Sequence, residues 1–180
     1  MNKPTLRAHA RAARDAFFAS SPAPIAAPAE FLEHLRAGLT VTSYVPLGSE
    51  ADPVLLARAA VEAGCLIALP HVTTRSAPMR FLAWDAADDL HVGPMGLQQP
   101  HHEAPALAPD IILTPLLAFD AKLDRLGQGA GYYDRAFAEF PGALRIGVAW
   151  AVQQVDSLPV DAWDMPLHAV ITESGWISRP

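Results

Sequence analysis

Gly127, Gly129 and Gly131 alternate with Gln128 and Ala130, behind Arg125 and ahead of Tyr132-Tyr133-Asp134-Arg135. Glycines at this spacing let successive backbone N–H groups turn toward one concavity, and such a concavity binds anions. The residues after Gly131 read as a helix, whose N-terminal end adds partial positive charge at the same place. Phosphate binding is the chemistry this combination serves. Two common phosphate loops do not fit. A Walker A loop needs Gly-Lys-Ser/Thr, which is absent, and a dinucleotide fingerprint needs a glycine where Tyr132 stands. Nor does the segment open the first strand–helix unit, as such a fingerprint would. By glycine spacing alone it could equally be a plain turn from strand to helix; the flanking Arg125, Asp134 and Arg135 favour the phosphate.

A second set of charges lies at the N-terminus. Lys3, Arg7, Arg11 and Arg14 fall within an arc of roughly 80° if each residue turns about 100°. Leu6, Ala10, Ala13 and Phe17 recur at helical spacing and form an apolar stripe beside that arc. Residues 3–19 therefore read as an amphipathic helix that docks by one face and aims a basic edge into a cleft. The same spacing also describes a solvated basic face, which is the simpler reading for Arg11 and Arg14. An Arg-rich start almost free of acids also has the look of a mitochondrial transit peptide, although a helix that brings cations to phosphate accounts for the same residues.

The elements that must position these groups alternate. Residues 31–37 fit a short helix ended by Gly38, and 39–45 a strand rich in β-branched residues. Residues 53–63 read as a helix with Pro53 in its first turn and Gly64 just past its end. Strands follow at 65–69, closed by Pro70, at 79–84, and at 111–117, where Pro115 marks a strand end. A helix at 132–140 stops at Pro141-Gly142, and strands at 144–150 and 169–172 complete the series. The pattern implies an α/β fold, a three-layer Rossmann-like sandwich with a largely parallel central sheet. Residues 85–109 are rich in Pro and His and weakly periodic, which suits surface or active-site loops.

Bulk properties narrow the function. A chain of 180 residues, 51% hydrophobic and 18% charged, suits one ordered domain over 1–180. A net charge of −6 speaks against a broad nucleic-acid surface and requires any phosphate-binding cations to be gathered locally. Cys65, the sole cysteine, excludes an intrachain disulfide and sits in an apolar run, as a buried thiol does. No secretory leader or long apolar run is present, so the expectation is a cytoplasmic protein with no membrane partner. The pair His101-His102 has no ligand partner at metal spacing and reads as exposed loop.

The run Asp110-Ile-Ile-Leu-Thr-Pro-Leu-Leu-Ala-Phe-Asp120, followed by Arg125-Leu-Gly and Gly131-Tyr-Tyr-Asp-Arg135, resembles the signature of the 5-formyltetrahydrofolate cyclo-ligase family. Lys3-Pro-Thr-Leu-Arg7, Tyr44-Val-Pro46 with Glu50, Met79-Arg-Phe81, Gly147-Val-Ala with Gln153, and Leu158-Pro159 with Asp164 resemble further family segments in order. The resemblance spans nearly the whole chain, and the glycine segment is its most specific part. Three positions depart from the pattern. Gln128 stands where the family often has an aromatic residue, Ala130 where it has glycine, and Gln99 where a Gly-x-Pro-Glu-Pro segment has glutamate.

The resemblance implies a monomeric enzyme that uses ATP and Mg²⁺ to convert 5-formyltetrahydrofolate to 5,10-methenyltetrahydrofolate, releasing ADP and phosphate. An amide oxygen leaves badly. Its phosphorylation gives an iminophosphate-like species that N10 can attack, so the protein's task is positioning and charge neutralisation. By the same resemblance, Lys3 and Arg7 contact ATP phosphates, and the loop Gly127, Gln128, Gly129, Ala130, Gly131 continues with Tyr132 and Asp134 around the nucleotide. Arg125 adds a permanent charge and is named with Tyr133 as catalytic. Asp164 supports Mg²⁺, with Asp120 and Asp134 as weaker candidates. Glu50, Met79, Phe81 and Tyr133 line the folate slot, with Tyr44, Trp84 and Trp150 as further candidates. Two other readings stay open: a phosphate-using isomerase or CoA-transferase-like enzyme on a related fold, and a non-catalytic folate or nucleotide binder.

Overall fold

Ile111, Ile112 and Leu113 are all buried, although successive strand residues point to opposite faces, so their strand must be covered on both sides. The computed structural model, which describes residues 2–179, meets that demand with a central sheet of seven strands. In chain order the strands are β1 (Thr40–Thr42), β2 (Leu66–His71), β3 (Arg80–Ala83), the short pair β4 (His91–Val92) and β5 (Gln98–Gln99), and β6 (Ile111–Pro115). The short pair β7 (Ala118–Phe119) and β8 (Arg125–Leu126) follows, then β9 (Leu144–Val148), β10 (Ala169–Thr172) and β11 (Gly175–Ser178). The sheet order is β11-β10-β9-β6-β1-β2-β3. The strands from β10 to β2 pair in parallel, and β11 and β3 close the two edges antiparallel.

Alternation divides the side chains between two cores. Val41, Ile67, Ile111, Leu113 and Ile171 meet Phe31 of α2 (Ala29–Leu32) and Leu56 and Ala60 of α3 (Val54–Glu62). On the other face Ala68, Ile112 and Val170 meet Ala136 and Phe137 of α4 (Tyr132–Glu139). The result is the expected three-layer α/β sandwich. Outside the sheet, α1 (Lys3–Phe18) rests Leu6 and Ala10 against Leu117, Leu126 and Leu158, and Phe17 against Trp150 at 5.8 Å between ring centroids. Asn2 caps α1 by accepting from the Thr5 N–H at 3.0 Å.

Several expectations are corrected in detail. Ala13 is exposed, and Arg14 takes the inward place beside it. The helix expected at 31–37 is the single turn of α2, because Phe31 and Leu35 are both anchored in the core while the chain turns between them. Pro70 does not close β2. Parallel pairing with β1 stops at Ala68, so the proline's missing N–H costs that ladder nothing, and the antiparallel register with β3 continues through Pro70 opposite Phe81. The edge strand β11 and the hairpin β7–β8 lie outside the expectations; β7 and β8 have two residues each, too few for periodicity to reveal, and β11 is only partly buried, so no apolar run marks it. Pro115 ends β6 as expected, and Gly64 stops α3 with φ +80°. Cys65 is buried, with its thiol 3.2 Å from the Arg36 carbonyl.

Gln99 has a structural role in the loop region. It is buried, its Oε1 accepts from the Val72 N–H at 3.1 Å, and its Nε2 donates to the Val72 carbonyl at 3.3 Å. The amide thus ties the β4–β5 hairpin to the end of β2 with one donor and one acceptor. A carboxylate supplies no donor and would face the Val72 carbonyl in a buried setting. Gln99→Glu is therefore expected to cost about 2 kcal/mol, a Tm drop of roughly 4–8 °C at this chain length. An unchanged thermal melt at neutral pH would refute this role.

Candidate active site

A cavity of about 660 Å³ opens outside the C-terminal ends of β1, β2 and β6. The chain leaves β1 toward β2 on one side, while β6 lies on its other side, so the connections diverge there. Such a switch point leaves a crevice that the sheet itself does not fill. Tyr44 just after β1, Pro70 near the end of β2 and Pro115 at the end of β6 all line it.

The helix α1 crosses the mouth of this crevice, and its successive turns are pinned to three segments. Lys3 Nζ donates to Asp161 Oδ2 at 2.6 Å and Asp164 Oδ2 at 2.7 Å. Arg7 Nε donates to the Gly127 carbonyl at 2.9 Å, and Arg11 Nη2 to Gln128 Oε1 at 2.7 Å. Arg14 Nε donates to Ser49 Oγ at 2.9 Å. From Lys3 to Arg14 the helix advances about 16 Å, so it links the C-terminal loop, the glycine loop and the loop after β1. Arg14 is buried rather than solvated, which overturns the simpler reading of its position.

The glycine loop needs its glycines for two reasons. Gly129 and Gly131 hold φ +100° and +69°, which side-chain-bearing residues rarely adopt. A Cβ at Gly129 would also stand 3.3 Å from Arg7 Cζ, and one at Gly127 only 2.9 Å from Arg125 Nη1. Guanidinium groups therefore come up against the loop where side chains are missing. No side chain caps α4, so its first N–H groups are left for an anion. Arg125 is fixed by Asp134, Nη2 to Oδ1 at 2.5 Å, and its Cζ lies 5.1 Å from the Phe137 ring centroid and 5.9 Å from that of Tyr133. Asp134 is thus the partner of Arg125. Asp120 is committed to backbone: Oδ1 accepts from Lys122 and Asp124, and Oδ2 from Leu158. Among the described residues Arg7 pairs with no carboxylate, so its charge is free for a ligand.

Beyond the loop the cavity turns apolar, with Tyr44, Val72, Met79, Leu97 and Tyr133 on its walls. Glu50 is buried there; its Oε2 accepts from the Leu47 N–H at 3.0 Å and its Oε1 from Gln128 Nε2 at 3.3 Å. Desolvation first, and the Glu50 charge second, hold the Tyr133 hydroxyl protonated far above its ordinary range. The same two causes act on Tyr44, which donates to the Ala51 carbonyl at 2.6 Å. Both phenols are donors at neutral pH.

The structure brings Lys3, Arg7, Glu50, Met79, Arg125, the loop from Gly127 to Gly131, Tyr132, Tyr133, Asp134 and Asp164 to one cavity. It does not bring Phe81, which is buried in the core and packs against Phe140 at 6.1 Å, supporting the strand from behind. Trp84 and Trp150 also lie off the lining; Trp150 instead donates to the Ser49 carbonyl at 3.0 Å. His101 and His102 are exposed, and no three His, Cys, Asp or Glu side chains converge as a metal cage among the described residues. Sequence reasoning missed Asp161 and Trp163, which line the cavity beside Asp164. The signal of Asp161 is weak, because the Lys3 contact that gives it meaning spans 158 residues.

The ties of Lys3 carry a pH dependence. Desolvation pulls Lys3 down, but the hydrogen bonds and charges of Asp161 and Asp164 outweigh it and raise the ammonium above 10.5. Desolvation pushes Asp164 up, but the Lys3 and Asp161 N–H hydrogen bonds, then the Lys3 charge, bring its carboxyl below 3.8. The Asp164 contribution is present above 3.8 and lost as pH falls through the lowered value; the Lys3 contribution is present below 10.5 and lost as pH rises through the raised one. Asp164→Asn should cost about 1 kcal/mol between these limits. In thermal melts the gap to wild type should close as pH falls below 3.8. A gap that persists at lower pH would show that the tie is not ionic.

Comparison with known proteins agrees with this geometry. The family model for the 5-formyltetrahydrofolate cyclo-ligase family matches residues 2–173. A 5-formyltetrahydrofolate cyclo-ligase of Escherichia coli K12 is 32% identical over 142 residues, covering 75% of this chain and 78% of that one. One from Mycolicibacterium smegmatis is 32% identical over 146 residues, covering 75% and 74%. The solved structure of Aquifex aeolicus 5,10-methenyltetrahydrofolate synthetase superposes with a TM-score of 0.70 at 26% identity, covering 99% of this chain and 93% of that one. The Mycoplasma pneumoniae 5,10-methenyltetrahydrofolate synthetase, at 21% identity and a TM-score of 0.68 over 96% and 99%, shares the fold. With its glycine loop, its basic first helix and its match along almost the full length, the chain belongs to the 5-formyltetrahydrofolate cyclo-ligase family.

Proposed function

We propose that this protein closes 5-formyltetrahydrofolate to 5,10-methenyltetrahydrofolate at the expense of ATP, with release of ADP and phosphate. The observation that carries the reading is a juxtaposition. An uncommitted cation, Arg7, lies against a glycine loop and an uncapped helix start, on the wall of the same cavity as the apolar slot around Glu50 and Met79. A phosphate cradle beside a slot for a flat ring system is what a phosphoryl transfer to a folate requires.

In this reading the loop N–H groups and Arg7 neutralise the phosphates, and Lys3 adds charge at the start of α1. The formyl oxygen takes the γ-phosphoryl group as ADP leaves; N10 then bonds to the formyl carbon, and the carbon–oxygen bond breaks to release phosphate, with the N10 proton passing to the departing phosphate or to water. Tyr133, protonated, can donate to oxygen where negative charge collects but cannot act as a base. Arg125, held by Asp134 and stacked on two rings, keeps its charge in one place. Glu50 accepts from the N–H groups of the folate ring. The residues present fit Mg²⁺. Asp164 and Asp161 offer carboxylate oxygens at the end of the cradle, and phosphate and water would complete the shell. When bound, the ion neutralises phosphoryl charge.

The direct test mixes purified protein with 5-formyltetrahydrofolate, Mg²⁺ and ATP and follows the methenyl-folate absorbance band. A rise that vanishes without ATP is expected; a folded protein that gives none refutes the reading. In the same assay Arg7→Ala should raise the KM for ATP by about 10- to 100-fold, the value of a charge-assisted hydrogen bond, with little change in that for folate. Equal effects on both would reject the phosphate role of Arg7.

A further inference from the structure

One buried cation in the cavity wall is not used by the phosphate cradle. The Arg14 side chain is 5% exposed, yet its guanidinium is only partly satisfied. Nε donates to Ser49 Oγ, which in turn donates to Asp15. Nη1 is buried and has no hydrogen-bond partner among the described residues. Its nearest charge is Glu50 Oε1 at 3.8 Å, close enough for attraction but too far for a hydrogen bond. A buried guanidinium N–H left unpaired costs free energy, so such a group in a cavity wall marks a place where a ligand acceptor completes the set.

The neighbour decides which acceptor. Glu50 lies beside Nη1 and would repel a phosphate oxygen, and Arg14 sits about 16 Å along α1 from the Lys3 end of the cradle. A neutral acceptor next to hydrogen-bond donors is what this pair can read. The 2-amino-4-oxo edge of a reduced pterin presents that order: the 2-amino group, the N3–H, then the O4 carbonyl. We propose that Arg14 is a specificity-determining residue for the pterin ring, donating from Nη1 to O4 while Glu50 accepts from N3–H and the 2-amino group. This rests on the reading that the Glu50 end of the cavity takes the folate. It assigns to Arg14 a contact with substrate rather than a tie between α1 and the loop after β1 alone.

The test compares 5-formyltetrahydrofolate with its 4-amino-4-deoxy counterpart, in which the O4 acceptor becomes a donor that Arg14 cannot serve and N3 loses the hydrogen that Glu50 accepts, so the change in preference on replacing Arg14 isolates the O4 contact. Equilibrium binding of both is measured to wild type, Arg14→Met and Arg14→Lys, with the KM for folate and for ATP in each. Wild type should prefer the 4-oxo compound about tenfold or more, and Arg14→Met should shrink that preference about fivefold or more. The KM for folate should rise about 10- to 100-fold in Arg14→Met while that for ATP stays within about twofold. Arg14→Lys, which keeps a cationic donor, should restore part of the preference, and it carries the same two readouts if Arg14→Met does not fold. A 4-oxo preference undiminished in the variants, or a parallel rise in both KM values, would overturn the proposal, because a loosened α1 disturbs Lys3 and Arg7 as well. If neither folate binds to wild type, the assignment of the cavity to folate falls first.

Discussion

Lys3, Arg7, Arg11 and Arg14 end on three different parts of the chain, and the site exists because one helix carries all four. The C-terminal loop, the glycine loop and the loop after β1 have no strand pairing that would hold them together around the crevice. They are joined through side chains that leave α1 at successive turns and reach Asp161 and Asp164, the Gly127 carbonyl, Gln128 and Ser49. The apolar side of the same helix, through Leu6, Ala10 and Phe17, fixes its position on the sandwich. Burial sets where the helix lies, and the charges then select which loops it gathers.

Charge in the cavity is arranged rather than accumulated. Arg125 is matched by Asp134, Lys3 by two carboxylates, and Arg14 faces Glu50, so the chain holds a cluster of cations despite a net charge of −6. At the glycine loop Arg7 and Arg11 have no carboxylate partner among the described residues, and Arg7 stands where backbone N–H groups and the start of α4 add their partial charges. Paired cations are held still, which favours orientation. A cation with no carboxylate partner can attract an anion without a competitor.

Two departures from the family pattern acquire different meanings in three dimensions. Gln99 lies off the cavity and works as a structural clamp on Val72, using both ends of an amide. Gln128 lies within it and connects Arg11 to Glu50, so it steadies the carboxylate that faces the slot. Residue type alone does not separate these cases, because each depends on whether the side chain meets backbone in the core or a charged neighbour at a cavity wall.

Much of this protein was legible in its amino-acid order. The alternation of β-branched runs with helical periods determined the three-layer sandwich, since a strand as apolar as that around Ile111 can exist only with both faces covered. The glycine spacing, with charged flanks and a helix directly after it, pointed to a phosphate site, and the basic arc of the first helix named cations that could serve it. These features are local, and local spacing carries them. Tertiary structure alone decided that Arg14 is buried beside Glu50, that Phe81 stands behind the wall that Met79 forms, that Asp120 and Asp134 are committed to protein partners, and that Asp161 shares Lys3 with Asp164. Each of these outcomes depends on segments tens to more than a hundred residues apart meeting at one crevice. Which neighbour a side chain finds there is set by the packing of the sheet and α1, not by any period in the chain.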